Sequence, residues 1–129
     1  KRKFSEESFS LTALRDRMGY RLKSEALKQS NNAELISTAV TFGTVQLLPD
    51  GQLIILMADH QTTGGYPRIA QVIGMDRSGL VQRKVESKIY FHSVNIQEAE
   101  DLIFGQSKIL NQIQVTCSAR LQEFLKSVP

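Results

Sequence analysis

The sequence predicts a mainly β fold, a β-barrel that is followed by a helical segment at the C-terminus. In the first two thirds of the chain, short runs alternate apolar and polar residues, as half-buried strands do. Turn signals separate these runs, which favours a barrel or a sandwich over an α/β sheet. From Asn95 onward, apolar residues recur at three- and four-residue steps, which indicates a helix. We therefore expect residues 1–94 to form the barrel and residues 95–129 to be a helical segment of the same domain.

The two earliest predicted strands flank a charged bend. Residues 9–12 alternate apolar and polar side chains, and residues 19–22 do so again after the Arg-Asp-Arg bend at residues 15–17. Alternation places every second side chain on the same face of a strand, so one face of each can be buried. Residues 28–32 are polar and predict a turn.

A hairpin is predicted over residues 44–58. Its turn is Pro-Asp-Gly at residues 49–51, where proline fixes φ and glycine accepts a positive φ. Residues 59–68 follow as a loop without hydrophobic periodicity, and residues 81–84 give no clear pattern. Further strands are predicted at residues 69–74 and 88–93.

The C-terminal helix is predicted to begin after Asn95. Asparagine is a good N-cap, and Glu98 three residues later suits a capping box. The pattern fits one long helix or two helices with a break near residues 115–118. It also fits either packing against the barrel or a role in dimerisation or partner docking. The apolar positions are Ile96, Ala99, Ile103, Leu110, Ile113 and Cys117, followed by Leu121, Phe124, Leu125 and Val128.

The composition is that of an ordinary soluble domain. The 129 residues are 41% hydrophobic and 22% charged. No segment reaches the roughly eighteen apolar residues that a membrane-spanning helix needs. The net charge of +3 comes without a dense basic stripe or a nucleic-acid-binding motif. We therefore expect no membrane and no nucleic acid among the partners, and an anionic small molecule or an acidic surface is better supported.

The single cysteine, Cys117, cannot form an internal disulfide and has no companion at metal-ligand spacing. We expect it to be a small, buried, apolar residue of the helix. A reducing, cytoplasmic setting follows from the same cysteine count. The chain begins at Lys1 rather than Met, which we interpret as a cut or processed end.

The loop at residues 59–68 is the main candidate for a functional site. Its adjacent glycines, Gly64 and Gly65, would let the backbone adopt positive φ and let a ligand approach main-chain N–H groups. Such groups bind carboxylates, phosphates or developing oxyanions. A tight connection between two strands needs the same residue types for geometric reasons alone, so both interpretations stay open here. The loop also offers the side chains of Asp59, Gln61, Thr62, Thr63 and Tyr66, with Pro67 stiffening its exit.

Two arginines and two histidines are further candidates. Arg17 and Arg21 are four residues apart, so on one strand they would share a face and could grip an anion through their planar guanidinium groups. The alternative is a solvated strand face. His60 lies beside Asp59 and is a candidate acid–base group, whereas His92 is expected on a strand surface. No cluster has metal-ligand spacing, so we expect no bound metal.

Several segments of the chain resemble one family. Two segments, Leu-Pro-Asp-Gly-Gln at residues 48–52 and Ala-Asp-His-Gln-Thr-Thr-Gly-Gly-Tyr-Pro at residues 58–67, resemble the signature of the allophanate hydrolase subunit 2 family. This family includes the C-type subunit of 5-oxoprolinase. Residues 16–22 and 42–46 are similar to two further motifs of that family, in the same order. The family also includes KipA-like regulators and relatives of biotin-dependent carboxyltransferases. The resemblance covers about residues 9–100.

The resemblance implies a cyclophilin-like β-barrel and identifies the chain as the C-terminal half of a subunit whose N-terminal half is missing here. It implies a partner, a B-type subunit that also has a cyclophilin-like fold. It further implies a small amide, lactam or carboxylate ligand, and ATP as a cofactor of the full complex, not necessarily bound by this chain. The predicted ligand-binding residues are Arg17, Gln61, Thr62, Thr63, Gly64, Gly65 and Tyr66, supported by Asp59, Gly19, Gln46 and Pro67, with no catalytic residue assigned.

The chain departs from the family pattern at three places. Residues 85–86 are Val-Glu where the family often has a Pro-Gly turn, so the edge of the barrel differs there. His60 stands where the family commonly has arginine, which argues against a required fixed positive charge. The tail after about residue 105 matches no motif of the family.

Two functions follow from these observations. The first is a subunit of an ATP-dependent 5-oxoprolinase or allophanate hydrolase-type complex that hydrolyses an amide, with this chain inactive by itself. The alternative is a KipA-like binding module that antagonises an inhibitor of a sensor histidine kinase. A prolyl isomerase would rest on analogy of fold alone, and fold does not confer function.

Overall fold

A computed structural model describes residues 2–24, 27 and 36–128. The chain divides into two compact units, residues 1–93 and residues 94–129. The turn predicted at residues 28–32 lies outside the described residues. The first unit is mainly β and the second is helical, which confirms the predicted fold class.

A six-stranded antiparallel sheet forms the first unit, with the strand order β7-β4-β5-β2-β1-β8. The sheet curls as a half-barrel around its core, and two short strands pair beside it, in the order β3-β6. The elements are α1 (Arg2–Glu6), β1 (Phe9–Arg15), β2 (Gly19–Lys23), β3 (Thr38–Ala39), β4 (Thr44–Leu47), β5 (Leu53–Leu56), β6 (Thr63–Gly64), β7 (Arg68–Gln71), α2 (Gly74–Val81) and β8 (Lys88–Ile89).

The core follows the alternation that the sequence predicts for the first strands. On β1, Phe9 and Leu11 are fully buried while Ser10 and Thr12 stay half-buried on the opposite face. The central strand β5 is apolar throughout, and its side chains are buried or half-buried on both faces, as expected for a strand covered on both faces. The largest fully buried side chains are Phe9, Leu11, Leu22, Val45, Gln46, Leu53 and Ile55.

The predicted hairpin is confirmed as β4 and β5, which pair with Val45 opposite Ile55. Its turn places Gly51 at a φ of 80°, a left-handed conformation that glycine adopts without steric cost. The N–H of Gly51 donates to the carbonyl oxygen of Leu48 at 2.9 Å. The side chain of Asp50 accepts from the N–H of Gln52 at 2.9 Å, which closes the turn.

The strand predicted at residues 69–74 is wrong in its second half. Strand β7 ends at Gln71, and Gly74 begins helix α2. The sequence of α2 contains two glycines, which lower helix propensity, and Leu80 is its one buried residue. Because only one residue of α2 is buried, its sequence shows almost no helical repeat of apolar residues.

The strand predicted at residues 88–93 is also shorter than expected, since β8 pairs with β1 only through Lys88 and Ile89. The chain then leaves the sheet and brings Phe91 against two other rings. The centroid of the Phe91 ring lies 4.5 Å from that of Phe4 and 5.4 Å from that of Phe9. Aromatic packing therefore replaces strand pairing at this point.

The second unit is one continuous helix, α3 (Ile96–Ser127), of 32 residues. Its predicted capping box is present: the side chain of Asn95 accepts from the N–H of Glu98, and the Glu98 carboxylate accepts from the N–H of Asn95. The alternative of a break near residues 115–118 is wrong. The expected burial of Cys117 is wrong too, because this residue is exposed. The roles in barrel packing, dimerisation and docking stay predictions.

Replacing Ile55 with alanine should destabilise the first unit by about 2–5 kcal/mol, because a fully buried side chain would leave a cavity. Urea denaturation followed by circular dichroism measures the loss. The matched control is Ile109→Ala on α3, where the side chain is 60% exposed. Equal effects of the two substitutions would contradict the assignment of the core.

Candidate functional site

Two loops meet at one end of the central strands. One joins β1 to β2 at residues 16–18, and the other leaves β5 at residue 57. The N–H of Met57 donates to the carbonyl oxygen of Met18 at 2.9 Å, and the N–H of Asp59 donates to that of Arg17 at 2.8 Å. These bonds continue the pairing of β2 with β5 beyond both strands and hold the loops side by side.

Arg17 and Asp59, both predicted site residues, form a bidentate ion pair. The Nε of Arg17 lies 2.5 Å from Oδ2 of Asp59, and a terminal guanidinium nitrogen lies 3.1 Å from Oδ1. The two side chains are 81% and 49% exposed. Arginine offers five N–H donors, and this pairing uses two of them. The remaining three are free to meet a ligand from the solvent side.

The pairing changes the acid–base behaviour of both groups. The hydrogen bond from Arg17 lowers the pKa of Asp59, an effect that desolvation opposes and the charge of Arg17 reinforces. The hydrogen bond to Asp59, and then its negative charge, raises the pKa of Arg17. Asp59 is therefore ionised across the neutral range and acts as a fixed partner for Arg17, not as a proton carrier.

The loop before β2 is shaped by Asp16, which the sequence analysis did not assign to the site. Its Oδ1 accepts from the N–H of Met18 at 2.8 Å and from the N–H of Gly19 at 3.1 Å. The available signal was an aspartate three residues before a glycine, a pattern typical of a side-chain-closed turn. At Gly19, a predicted supporting residue, an added Cβ would lie 2.7 Å from Ile54 Cδ1, so glycine permits close packing there.

The prediction of positive φ at Gly64 and Gly65 is wrong. Within the described chain, the glycines with positive φ are Gly43 and Gly51. Gly64 is buried in β6, which pairs with β3, and an added Cβ would lie 2.6 Å from Nε2 of Gln46. The glycine serves close packing against a buried amide, which a sequence pattern cannot distinguish from a need for positive φ.

Gln46, a predicted supporting residue, lies directly beneath the loop. Its side chain is 1% exposed, and Nε2 donates to the carbonyl oxygen of Tyr66 at 3.5 Å. The backbone adds two ties, from the N–H of Leu47 to the oxygen of Pro67 at 2.9 Å and from the N–H of Val40 to the oxygen of Thr62 at 3.0 Å. Several carbonyl groups of the loop therefore point inward.

The side chains of the loop are presented to solvent. Gln61, Thr62 and Thr63 are exposed, and Tyr66 is 44% exposed. Together they offer one amide, two aliphatic hydroxyls and a phenol, which donate and accept hydrogen bonds without carrying charge. Arg17 stands beside the start of this loop through its ion pair with Asp59, so the unused N–H donors of its guanidinium group flank the neutral donors.

His60 does not pair with Asp59, which is occupied by Arg17. Its Nδ1 lies 2.5 Å from the carbonyl oxygen of Gln61. A carbonyl oxygen only accepts hydrogen bonds, so Nδ1 carries the proton in this contact. The ring thus ties two consecutive residues of the loop together.

Arg17 and Arg21 do not share a strand face, contrary to the prediction. Strand β2 begins at Gly19, so Arg17 belongs to the preceding loop, whereas Arg21 lies on the strand opposite Ile54. The turn closed by Asp16 takes Arg17 out of the strand.

Across residues 2–24, 27 and 36–128 the structure has no group of three metal-ligating side chains. None of the helices in these residues is long and apolar enough to cross a bilayer.

The first unit has relatives among known proteins. Residues 1–93 match the family described as carboxyltransferase domain, subdomain A and B. The chain is similar to the crystal structure of TTHA0988, with a TM-score of 0.61 and 29% identity over 71% of this chain and 18% of that one.

Two curated relatives are both named as the C-type subunit of 5-oxoprolinase. The one from Haemophilus influenzae is 46% identical over 106 residues, which cover 82% of this chain and 34% of the relative. The one from Escherichia coli is 38% identical over 110 residues, which cover 85% of this chain and 36% of the relative. The chain thus spans about a third of the length of these relatives.

The ion pair between Arg17 and Asp59 should make stability depend on pH in the acid range. Because the pKa of Asp59 is lower in the folded state than its ordinary value of 3.8, the stabilisation is fully present above that value and is lost as pH falls through the lower, folded pKa. The difference in urea midpoint between the wild type and Asp59→Asn should be constant near neutral pH and shrink below pH 3.8. Glu100→Gln, on the exposed face of α3, is the control. A difference that grows in acid would contradict the pairing.

Gly64→Ala should destabilise the protein because its new Cβ would clash with Gln46. Once Gln46 is also alanine, the next nearest side chain is Val40, whose Cγ1 lies at an ordinary 3.5 Å. We therefore expect the double variant to lose less than the sum of the single variants, with a coupling of about 0.5–3 kcal/mol in urea denaturation.

The control for this cycle is Gly79→Ala, since an added Cβ there meets nothing within 4 Å and lies in α2. It should stabilise the helix by about 0.5–1 kcal/mol and be additive with Gln46→Ala. Additivity at Gly64 as well would show that the two residues do not touch.

Proposed function

This chain belongs to the family of the carboxyltransferase domain, and on that premise we propose that it forms part of a subunit of a 5-oxoprolinase-type hydrolase complex. The observation that carries the proposal is 46% identity, over 82% of the chain, to a protein named as the C-type subunit of 5-oxoprolinase. The chain spans about a third of that relative, so the activity belongs to the whole assembly and not to these residues alone.

The ligand that we propose is a small amide, lactam or carboxylate. A cyclic amide that carries a carboxylate presents both a neutral carbonyl group and a charged group. The hydroxyl and amide side chains of Thr62, Thr63 and Gln61 suit the carbonyl group. The unused N–H donors of Arg17 suit the carboxylate. Gln46 positions the loop through its hydrogen bond to Tyr66, and Asp59 positions the guanidinium group of Arg17.

The chemistry that this arrangement supports is stabilisation of charge, not nucleophilic attack. Opening an amide places negative charge on its carbonyl oxygen, and preorganised donors lower the energy of that state. Among the described residues, Asp59 is held by Arg17 and His60 contacts the carbonyl oxygen of Gln61, so these two neighbours do not form an acid–base pair. We assign no nucleophile to this chain.

We propose ATP as a cofactor of the complete complex, bound outside the loop of residues 61–66. A backbone cradle for phosphate uses glycine amides that point at the ligand. Here Gly64 is buried and paired with β3, and neither Gly64 nor Gly65 has a positive φ. The loop therefore does not suit a triphosphate.

The partners that we propose are a B-type subunit of cyclophilin-like fold and the remainder of this subunit, in the cytoplasm.

The proposal is tested in the reconstituted complex. The full-length subunit is co-expressed with its partner subunits, and glutamate release from 5-oxoproline is measured with and without ATP. We expect Gln61→Ala with Thr63→Val to lower kcat/KM by about 10²-fold or more, because two donors to the developing oxyanion are removed. The 129-residue chain alone should show no turnover.

The matched control is the double variant Ser78→Ala with Gln82→Ala. It removes one hydroxyl from α2 and one amide from the turn after it, and both side chains are exposed. Activity that survives the loop substitutions unchanged would remove the loop from catalysis. A complex that releases no glutamate but binds an inhibitor of a sensor kinase would instead support the regulatory module.

A further inference from the structure

A polar pocket lies on the face of the sheet that carries Ser10 and Thr12, away from the core. Its volume is about 370 Å³, at the lower end of small-molecule sites. It contains no apolar side chain. Its lining residues are Ser8, Ser10, Thr12, Lys23, Ser24, Glu86 and Lys88.

The strand register places two lysines on either side of one serine. Ser10 of β1 stands opposite Lys23 of β2 and opposite Lys88 of β8. Neighbouring strands lie about 4.8 Å apart, so the two lysine backbones are roughly 10 Å apart across Ser10. The Nζ of Lys88 donates to Oγ of Ser10 at 2.9 Å, which holds this ammonium group over the pocket.

Within the described part of the chain, neither Lys23 nor Lys88 forms an ion pair, although the carboxylate of Glu86 lines the same pocket. Like charges on nearby strands repel, and an anion between them would turn that repulsion into two attractions. The hydroxyls of Ser8 and Ser10 add neutral donors along the floor, whereas the hydroxyl of Thr12 already donates to the carbonyl oxygen of Arg21 at 3.1 Å.

We propose that this pocket binds a phosphate group, either as free phosphate or as a phosphate monoester. A phosphate has oxygens on several sides, so it can meet Lys23, Lys88 and the hydroxyl floor together. A carboxylate offers two oxygens in one plane, so it presents fewer acceptor atoms and fewer directions to these groups than a phosphate does. The volume of the pocket leaves room for the organic part of an ester.

Glu86 at the rim gives the site a preference among anions. This residue has a φ of 67°, a left-handed conformation that is uncommon outside glycine and that clusters at functional sites. Its turn is fixed on β1, since the N–H of Glu86 donates to the oxygen of Leu11 at 2.8 Å. A carboxylate accepts from the hydroxyl of a protonated phosphate but repels sulfate, which carries no proton at neutral pH. Phosphate should therefore bind more tightly than sulfate.

The test is a titration of the ¹⁵N-labelled chain with inorganic phosphate, phenyl phosphate, sulfate and acetate at constant ionic strength, followed by NMR. Saturable shifts for residues 8–12 and 86–88 are expected with phosphate and phenyl phosphate, and the tighter of the two identifies free phosphate or a monoester. Lys23→Met with Lys88→Met should weaken phosphate binding by at least about tenfold. Glu86→Gln should bring sulfate close to phosphate.

The matched control is Lys84→Met, an exposed lysine of the neighbouring turn that does not line the pocket. It should change the phosphate affinity by less than about twofold, the effect of net charge alone. An equal loss in the control and the double variant would overturn the proposal, as would shifts that fail to saturate in the wild type. Circular dichroism of each variant separates lost binding from lost folding.

Discussion

The pairing of β2 with β5 governs the arrangement of the candidate site, because it does not stop where the strands end. Two further backbone hydrogen bonds, from Met57 to Met18 and from Asp59 to Arg17, carry the register into the loops. Because these backbone bonds already place Arg17 opposite Asp59, their side chains can form the bidentate contact without a change in the backbone. An exposed ion pair is usually weak, and here the sheet supplies the geometry that the pair could not enforce.

Below the loop, a polar side chain takes a place that a core would normally give to an apolar one. Gln46 is 1% exposed on a strand whose other residues are buried as well. A buried amide must be hydrogen-bonded, and its partner is the carbonyl group of Tyr66. The hydrogen bond from this amide holds the loop at Tyr66 against the sheet. Residue 64 is glycine because a Cβ atom there would clash with the same amide. Core and site are coupled through this one contact.

Features with a local cause were predictable from the sequence. The alternation on β1, the Pro-Asp-Gly turn before β5 and the capping box at Asn95 all depend on residues within four positions of each other. Features with a distant cause were not. The buried Gln46 explains Gly64 across eighteen positions, Asp59 engages Arg17 across forty-two, and Phe91 leaves the sheet for Phe4 across the whole first unit. Spacing along a chain carries no trace of such contacts.

The two strands at the ends of the sheet, β7 and β8, have only four and two residues, and each begins with a basic side chain, Arg68 and Lys88. Unpaired strand borders are templates on which another polypeptide can add itself, and short, charged borders resist that growth. Amyloid-type stacking through these borders is thereby made unfavourable. At either border, the described strands offer another polypeptide only two to four residues with which to pair.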